Sequence, residues 1–405
     1  MKIPLSISQI ITSVESAGFQ IFAVGGCVRD NIMGKTPSDW DLTTSALPNQ
    51  IIALFPDKKV LTTGLKHGTV TVLAEGNPVE ITTFRIDGAY ADGRHPLDVT
   101  FSDNIVDDLK RRDFTINAMA YNHKSGICDP FDGQRDINSK TIRAVGDPVQ
   151  RFSEDALRIM RAIRFSAQLD FDIEKQTKSA LFSCKQLLNK IAAERITAEF
   201  TKTLTATNPS RALTQYFTVT SEIFFGALKT DVQKIDFSII DKLPPLVIPR
   251  LAVYLQLASH IFRVSANELA KIFFRQMRFS SQTTKHVTTV MGLTDTPLPT
   301  DPINLKKLLI HNSFEDLCFA ASAQQQLSRH YDKYEAILCT LHSIRQNNEC
   351  LKIADLDING TDLSTQLNLS GKEIGNALNR LLIAVIEGKC PNKKDALTDF
   401  LKSAP

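Results

Sequence analysis

Over the first 145 positions the apolar residues come in short runs rich in β-branched side chains, Ile21–Val24, Thr69–Leu73 and Val79–Phe84, punctuated by Gly, Pro and Asp. Runs of that length predict strands, so this stretch reads as a mixed α/β domain. From about Arg151 the spacing changes. Asp155–Leu169, Glu194–Thr205 and Lys372–Glu387 carry apolar residues at helical intervals with breakers between them, which predicts an almost wholly helical remainder. Ser153 is placed to cap the first of these helices. Proline-rich segments at Leu243–Pro249 and Thr294–Pro302 read as hinges between helical subdomains. The pattern therefore predicts a head that carries chemistry and a helical arm that carries reach.

Composition narrows the class. With 405 residues, 43% of them hydrophobic, the chain can bury several small cores. The opening MKIPLSISQI has no apolar stretch of signal-peptide length, and no run of about 18 apolar residues follows, which predicts a soluble cytoplasmic protein without a membrane partner. Seven cysteines, an odd number with no Cys-x-x-Cys pair, read as free thiols in a reducing compartment. A formal net charge of +3 on 47 basic and 44 acidic side chains is close to balance. Any nucleic-acid surface must come from local clustering.

Three places in the head carry candidate chemistry. A strand runs into Gly25-Gly26 and then into a predicted helix bearing Arg29 and Asp30. Paired glycines let the backbone turn sharply, and a helix start offers N–H groups to an anion such as a triphosphate, although an ordinary turn has the same sequence. Next, Asp39-Trp-Asp41 puts two carboxylates at i and i+2, on one face if the segment is extended. Like charges so placed call for a cation, and hard oxygen ligands suit Mg²⁺; the alternative is a surface Asx turn. Glu80, inside the strand Pro78–Phe84, is a third acid that faces either this site or solvent. Two divalent ions on such acids would serve phosphoryl transfer, one activating a 3′-hydroxyl and the other neutralising the leaving pyrophosphate. The chain has no Gly-x-Ser-x-Gly elbow and no P-loop.

Gly25-Gly26, Arg29-Asp30 and Asp39-Trp-Asp41, followed by Lys110-Arg-Arg112-Asp113-Phe-Thr-Ile-Asn117, Glu154-Asp155-Ala-Leu-Arg158 and Glu194-Arg195-Ile, resemble in order the motifs of class II tRNA nucleotidyltransferases and bacterial poly(A) polymerases. The resemblance implies an α/β nucleotidyltransferase head at 1–145, a helical neck at 146–206, a helical body at 207–296 and a helical, tRNA-binding tail at 297–405. It implies addition of C, C and A to the 3′ end of tRNA from CTP and ATP with Mg²⁺. Asp39 and Asp41 become the metal carboxylates and Glu80 the third catalytic acid. Gly25, Gly26 and Arg29 take part in nucleotide binding, and Arg112, Asp113 and Asn117 form the ribose pocket. Asp155 and Arg158, three apart on a predicted helix, would together imitate a base-pairing edge, the carboxylate accepting from the amine that C and A share. Arg161 and Arg164 would extend Arg158 into a basic stripe for triphosphate or tRNA.

Within the branch, Thr63-Gly-Leu-Lys66-His67-Gly-Thr-Val70 resembles the tRNA-specific type. The stretch with Arg85, Asp87, Gly88, Tyr90, Asp92, Arg94 and Pro96 resembles the flexible loop that switches addition from C to A. Addition of A alone and poly(A) synthesis stay open as alternatives, as does a non-catalytic RNA-binding module on the same scaffold. In the tail, Gly371-Lys372 at a helix start is a candidate RNA-phosphate contact or an ordinary turn. Phe262, Phe273, Phe274 and Met277 read as core.

Overall fold

The computed structural model describes residues 1–88, 98–226, 235–328 and 331–403, and the chain divides into two compact units, Met1–Gly226 and Ala227–Pro405. The strands of the first unit are β1 (Ile21–Val24), β2 (Asp41–Thr44), β3 (Val60–Leu61), β4 (Thr69–Ala74), β5 (Asn77–Thr83), β6 (Arg85–Asp87), β7 (Val99–Phe101), β8 (Ala120–Asn122) and β9 (Gly126–Cys128), with short β10 (Thr141–Ile142) and β11 (Asp172–Ile173) beyond them. One sheet has the order β3-β4-β5-β2-β1-β8-β9. Strand β1 lies towards its middle, and all four of its apolar residues are buried. Around it Phe22, Val24, Phe84, Leu109 and Ala120 form a compact core. The helix Leu5–Ser16 buries Ile7, Ile10, Ile11 and Val14, the spacing of a single helical face.

Two local features aim the sheet. Strands β2 and β5 pair in parallel, whereas β5 and its hairpin partner β4 run antiparallel. Parallel neighbours need a crossover, here made by the helix Pro48–Leu54 and the β3–β4 pair. Between β4 and β5, Glu75 and Gly76 both have positive φ, 51° and 83°, as a two-residue hairpin turn requires.

The helical part of the first unit departs from the sequence reading at one point. The helix expected from Asp155 begins at Leu157 and runs to Leu169, and a separate helix, Pro148–Glu154, capped by Asp147, precedes it. Ser153 caps nothing; its hydroxyl donates to the Val149 carbonyl within the first helix. Asp155 is extended, with φ −139° and ψ 101°, and its carboxylate accepts from the Leu157 N–H. An Asp satisfies the orphan N–H groups of a new helix start well, so the break falls there.

The second unit is helical throughout its described residues, from Val247–Phe262 to Lys394–Ser403. Ser265, Ser280, Asp301 and Asn359 cap helices with their side chains. Pro249 and Pro302 lie in first helical turns, where a missing N–H costs nothing. Phe273 and Met277 are buried core residues, as their spacing suggests. A separate apolar cluster near the C-terminal end centres on Leu363, Leu381 and Leu397. All seven cysteines are free thiols. Among the described residues no helix is long and apolar enough to cross a membrane.

Candidate active site

The pairing of β2 with β5 sets Asp41 opposite Glu80. Register partners on parallel strands point to the same face, so these acids share a side of the sheet, with Asp39 two residues before Asp41. All three residues are exposed. The Asp41 carboxyl is raised above the usual range, first by crowding from the surrounding protein and then by repulsion from Glu80 and Asp39, against the pull of Arg112. A cation beside Asp39 and Asp41 would relieve that repulsion. Among the described residues no three carboxylates, imidazoles or thiols converge into a ready-made cage. Asp39 and Asp41 offer the hard oxygen donors that suit a divalent ion completing its shell from phosphates and water.

The glycine pair turns β1 into the helix Gly26–Ile32. Gly25 has φ 81°, and a Cβ there would lie 3.1 Å from Nη1 of Arg112. The turn therefore needs glycine for its backbone as well as for space. Arg29 on the helix is buried; it donates to Asp30 at 2.7 Å and to Oδ1 of Asn117 at 2.7 Å. Asn117 in turn donates to Asp113, and the other Asp113 oxygen accepts from Nε of Arg161 at 2.7 Å. Burial alone would raise the Asp113 carboxyl, but Arg161 outweighs it and holds the group at about 2. Asp113 thus sits in a chain Asp30–Arg29–Asn117–Asp113–Arg161.

Phe165, which the sequence reading passed over, is the floor of this chain. The guanidinium of Arg164 stacks 4.0 Å from its ring centroid, with Arg29 at 5.2 Å and Arg161 at 5.4 Å. Three cations share one aromatic residue. Arg161, four positions before Phe165 and so on the same helical face, was the available signal. Asp108, also unforeseen, is fully buried and accepts from Arg111 at 2.6 Å and Arg112 at 3.2 Å. Nε of Arg112 is buried without a hydrogen-bond partner among the described residues.

The proposed base-reading pair needs correction. Asp155 and Arg158 are not neighbours on one helix face, because Asp155 stands in the break. Its Oδ2 accepts from Arg195 at 3.1 Å, while Arg158 donates to Glu154 at 2.8 Å and to the carbonyls of Arg151 and Arg111, each at 2.9 Å. Three of the five guanidinium N–H groups are engaged, leaving two without partners among the described residues. The basic stripe is corrected as well. Arg158 and Arg164 are buried, and Arg164 is tied to Glu199 and Gln168; only Arg161 is partly open, at 34%. Each guanidinium meets a carboxylate because a buried cation is costly without one.

Of the loop residues, Tyr90, Asp92, Arg94 and Pro96 lie outside the described residues. Arg85 and Asp87 belong to β6, paired with β7. Arg85 contacts Asp87 at 3.0 Å, and Asp87 lies 3.6 Å from Arg111. Gly88 closes the ribbon by donating to the Asp98 carbonyl at 2.9 Å. A cavity of about 170 Å³ opens between this ribbon and Lys110, Arg111, Arg151 and Glu154. In the second unit, Gly371 (φ 51°) and Lys372 are exposed at the start of the helix Lys372–Ile386.

Family models match three stretches: one described as Poly A polymerase head domain over residues 21–143, one as Probable RNA and SrmB- binding site of polymerase A over 170–218, and one as tRNA nucleotidyltransferase domain 2 putative over 256–401. The chain is 36% identical over 396 residues to the CCA-adding enzyme of Leuconostoc mesenteroides, covering 97% of this chain and 94% of that protein. It is 35% identical over 401 residues to that of Bacillus velezensis, covering 97% and 96%. The crystal structure of Bacillus stearothermophilus CCA-adding enzyme in complex with CTP matches with a TM-score of 0.77 at 27% identity, over 99% of this chain and 98% of that one. At 21% identity the Thermotoga maritima CCA-adding enzyme complexed with tRNA shares the fold, with a TM-score of 0.68 over 99% and 96%.

Proposed function

The chain belongs to the family of CCA-adding enzymes, and from that membership we propose how its own residues add C, C and A to the 3′ end of tRNA from CTP and ATP, releasing pyrophosphate without a nucleic-acid template. The observation that carries the reading is the crowding of Asp41 by Glu80, its register partner, and by Asp39. The family's chemistry uses a divalent metal. Asp39 and Asp41 are the residues that would hold it, with Glu80 beside them, and the donor set favours Mg²⁺. When bound, the metal supplies positive charge for the attacking 3′-oxygen and the departing pyrophosphate.

The remaining roles fall to groups already in place. The Gly25-Gly26 turn brings backbone close to the triphosphate, and Arg29 holds Asn117 beside it. Asp113 stays ionised between Asn117 and Arg161, so it can accept from a ribose hydroxyl without a proton of its own to offer. For base choice, Asp155 keeps acceptor capacity beyond its bonds to Arg195 and Leu157, and Arg158 keeps two N–H groups beyond its three bonds. Together they are fitted to the amine and ring nitrogen that cytosine and adenine present. Arg195 and Glu154 are the residues that orient this pair. The domain scheme we adopt keeps a head at 1–145 and a neck, body and tail beyond it, the tail with Gly371 and Lys372 towards tRNA.

The test is single-nucleotide-resolution extension of tRNA transcripts lacking CCA, CA or A, with CTP, ATP or both. Wild type is expected to complete all three and then stop. Asp41→Ala and Asp39→Ala are expected to abolish incorporation while tRNA binding persists; incorporation at the wild-type rate by Asp41→Ala removes the assignment. An unlimited A ladder would instead favour poly(A) synthesis, and extension of only the last transcript would favour A addition alone.

A further inference from the structure

The first unit contains a second hollow, about 920 Å³ in volume, between the N-terminal segment, the turn after the Gly26–Ile32 helix and strand β9. That volume is at the upper end for pockets that take small ligands. Its wall combines Trp40, half-buried, with Ile32 and the exposed Ile127. Lys2 and Lys35 add two exposed cations. Asn31 fastens one side, exchanging reciprocal hydrogen bonds with the Lys2 backbone at 3.3 Å. A planar indole, an aliphatic floor and two ammonium groups make a complementary set for a flat heterocycle carrying a phosphate.

We propose that this hollow is a second nucleotide site, which takes a nucleoside monophosphate with its base against Trp40 and its phosphate between Lys2 and Lys35. The ligand is either a free mononucleotide or a nucleotide within an RNA strand. Trp40 stands between Asp39 and Asp41 in the chain, so an occupant that shifts the indole shifts the backbone that carries both carboxylates.

The chain has a single tryptophan, so its indole emission reports on Trp40 alone. We would titrate the full-length protein, without divalent metal, with AMP, CMP and a tRNA acceptor minihelix, and repeat each titration by calorimetry. The expected result is saturable binding that survives Arg161→Ala in the catalytic pocket and weakens about ten-fold in Lys35→Glu and in Ile127→Asp, as loss of one charge-assisted or stacked contact implies. Saturation by AMP or CMP identifies a free nucleotide as ligand; saturation by the minihelix alone, with the same sensitivity, identifies a strand nucleotide. Lys35→Glu should keep CMP incorporation at saturating CTP within about two-fold. The proposal is overturned if none of the three titrants binds, if Lys35→Glu and Ile127→Asp leave binding unchanged, or if Arg161→Ala abolishes it. Failure of Asp41→Ala to lose activity would bear on the metal assignment and leave this result untouched.

Discussion

Asp113 lies buried between Arg161 and Asn117, and its proton has a consequence for stability. Its folded value of about 2 lies below the ordinary 3.8, so ionised Asp113 favours the fold at every pH above that ordinary value. The contribution fades as pH falls from 3.8 towards about 2, and its size is about 2 kcal/mol. Asp113→Asn should therefore lower the urea midpoint at neutral pH and lose that deficit near pH 2. A constant deficit across the range would show that the ion pair is not its source. Gly25 offers a second test. A methyl group there meets Arg112 at 3.1 Å on a backbone with φ 81°, so Gly25→Ala should cost about 1–3 kcal/mol and, by displacing Arg112, most of the incorporation rate. Thermal melts and primer extension measure both. At this scale the sequence reading was strongest where chemistry depends on spacing: Asp39, two residues before Asp41, is near enough to raise its carboxyl. It was weakest for partners, because Glu199 reaches Arg164, and Arg195 reaches Asp155, through folded geometry rather than through neighbouring positions.

Between elements, the neck helix Leu157–Leu169 is joined to the head through Phe165. Its ring underlies the guanidinium that fixes Asn117 and the one that fixes Asp113. Phe165→Leu keeps most of the buried apolar volume and removes the shared π face. Its expected effect is a KM for CTP and ATP raised roughly ten-fold, the worth of one or two cation–π contacts, with kcat changed much less. An equal fall in kcat at unchanged KM would assign Phe165 to the chemical step instead. The same region shows why helix spacing alone misled. Apolar periodicity puts the helix start at Asp155, and nothing in it marks the extended backbone there; that break follows from the carboxylate capping the helix it precedes while it meets Arg195 from another. The head strands were legible because alternation is local, as in β4, where every second residue is buried. The parallel register of β2 and β5 was not, since it depends on a crossover through residues between them.

For the molecule as a whole, division into units at Gly226 predicts that damage in one need not reach the other. Leu381 is fully buried in the C-terminal apolar cluster, so Leu381→Ala should destabilise the second unit by about 2–5 kcal/mol. Calorimetry is expected to show a lowered transition for that unit while CTP binding by Met1–Gly226 stays at its wild-type value; a matching loss of CTP affinity would show that the units share one cooperative fold. The helical class of the second unit was plain from periodicity, but its assembly was not, because helix order in sequence does not specify which faces meet. The seven thiols are unevenly available. Cys27, Cys184 and Cys390 are buried, Cys339 is exposed, and the others lie between. Burial pushes the Cys318 thiol up to about 11, and it also raises Cys128 and Cys350. Since the thiolate is the reactive form, one equivalent of maleimide near neutral pH should modify Cys339 first, putting a dye on the second unit and none on the first without any engineered cysteine.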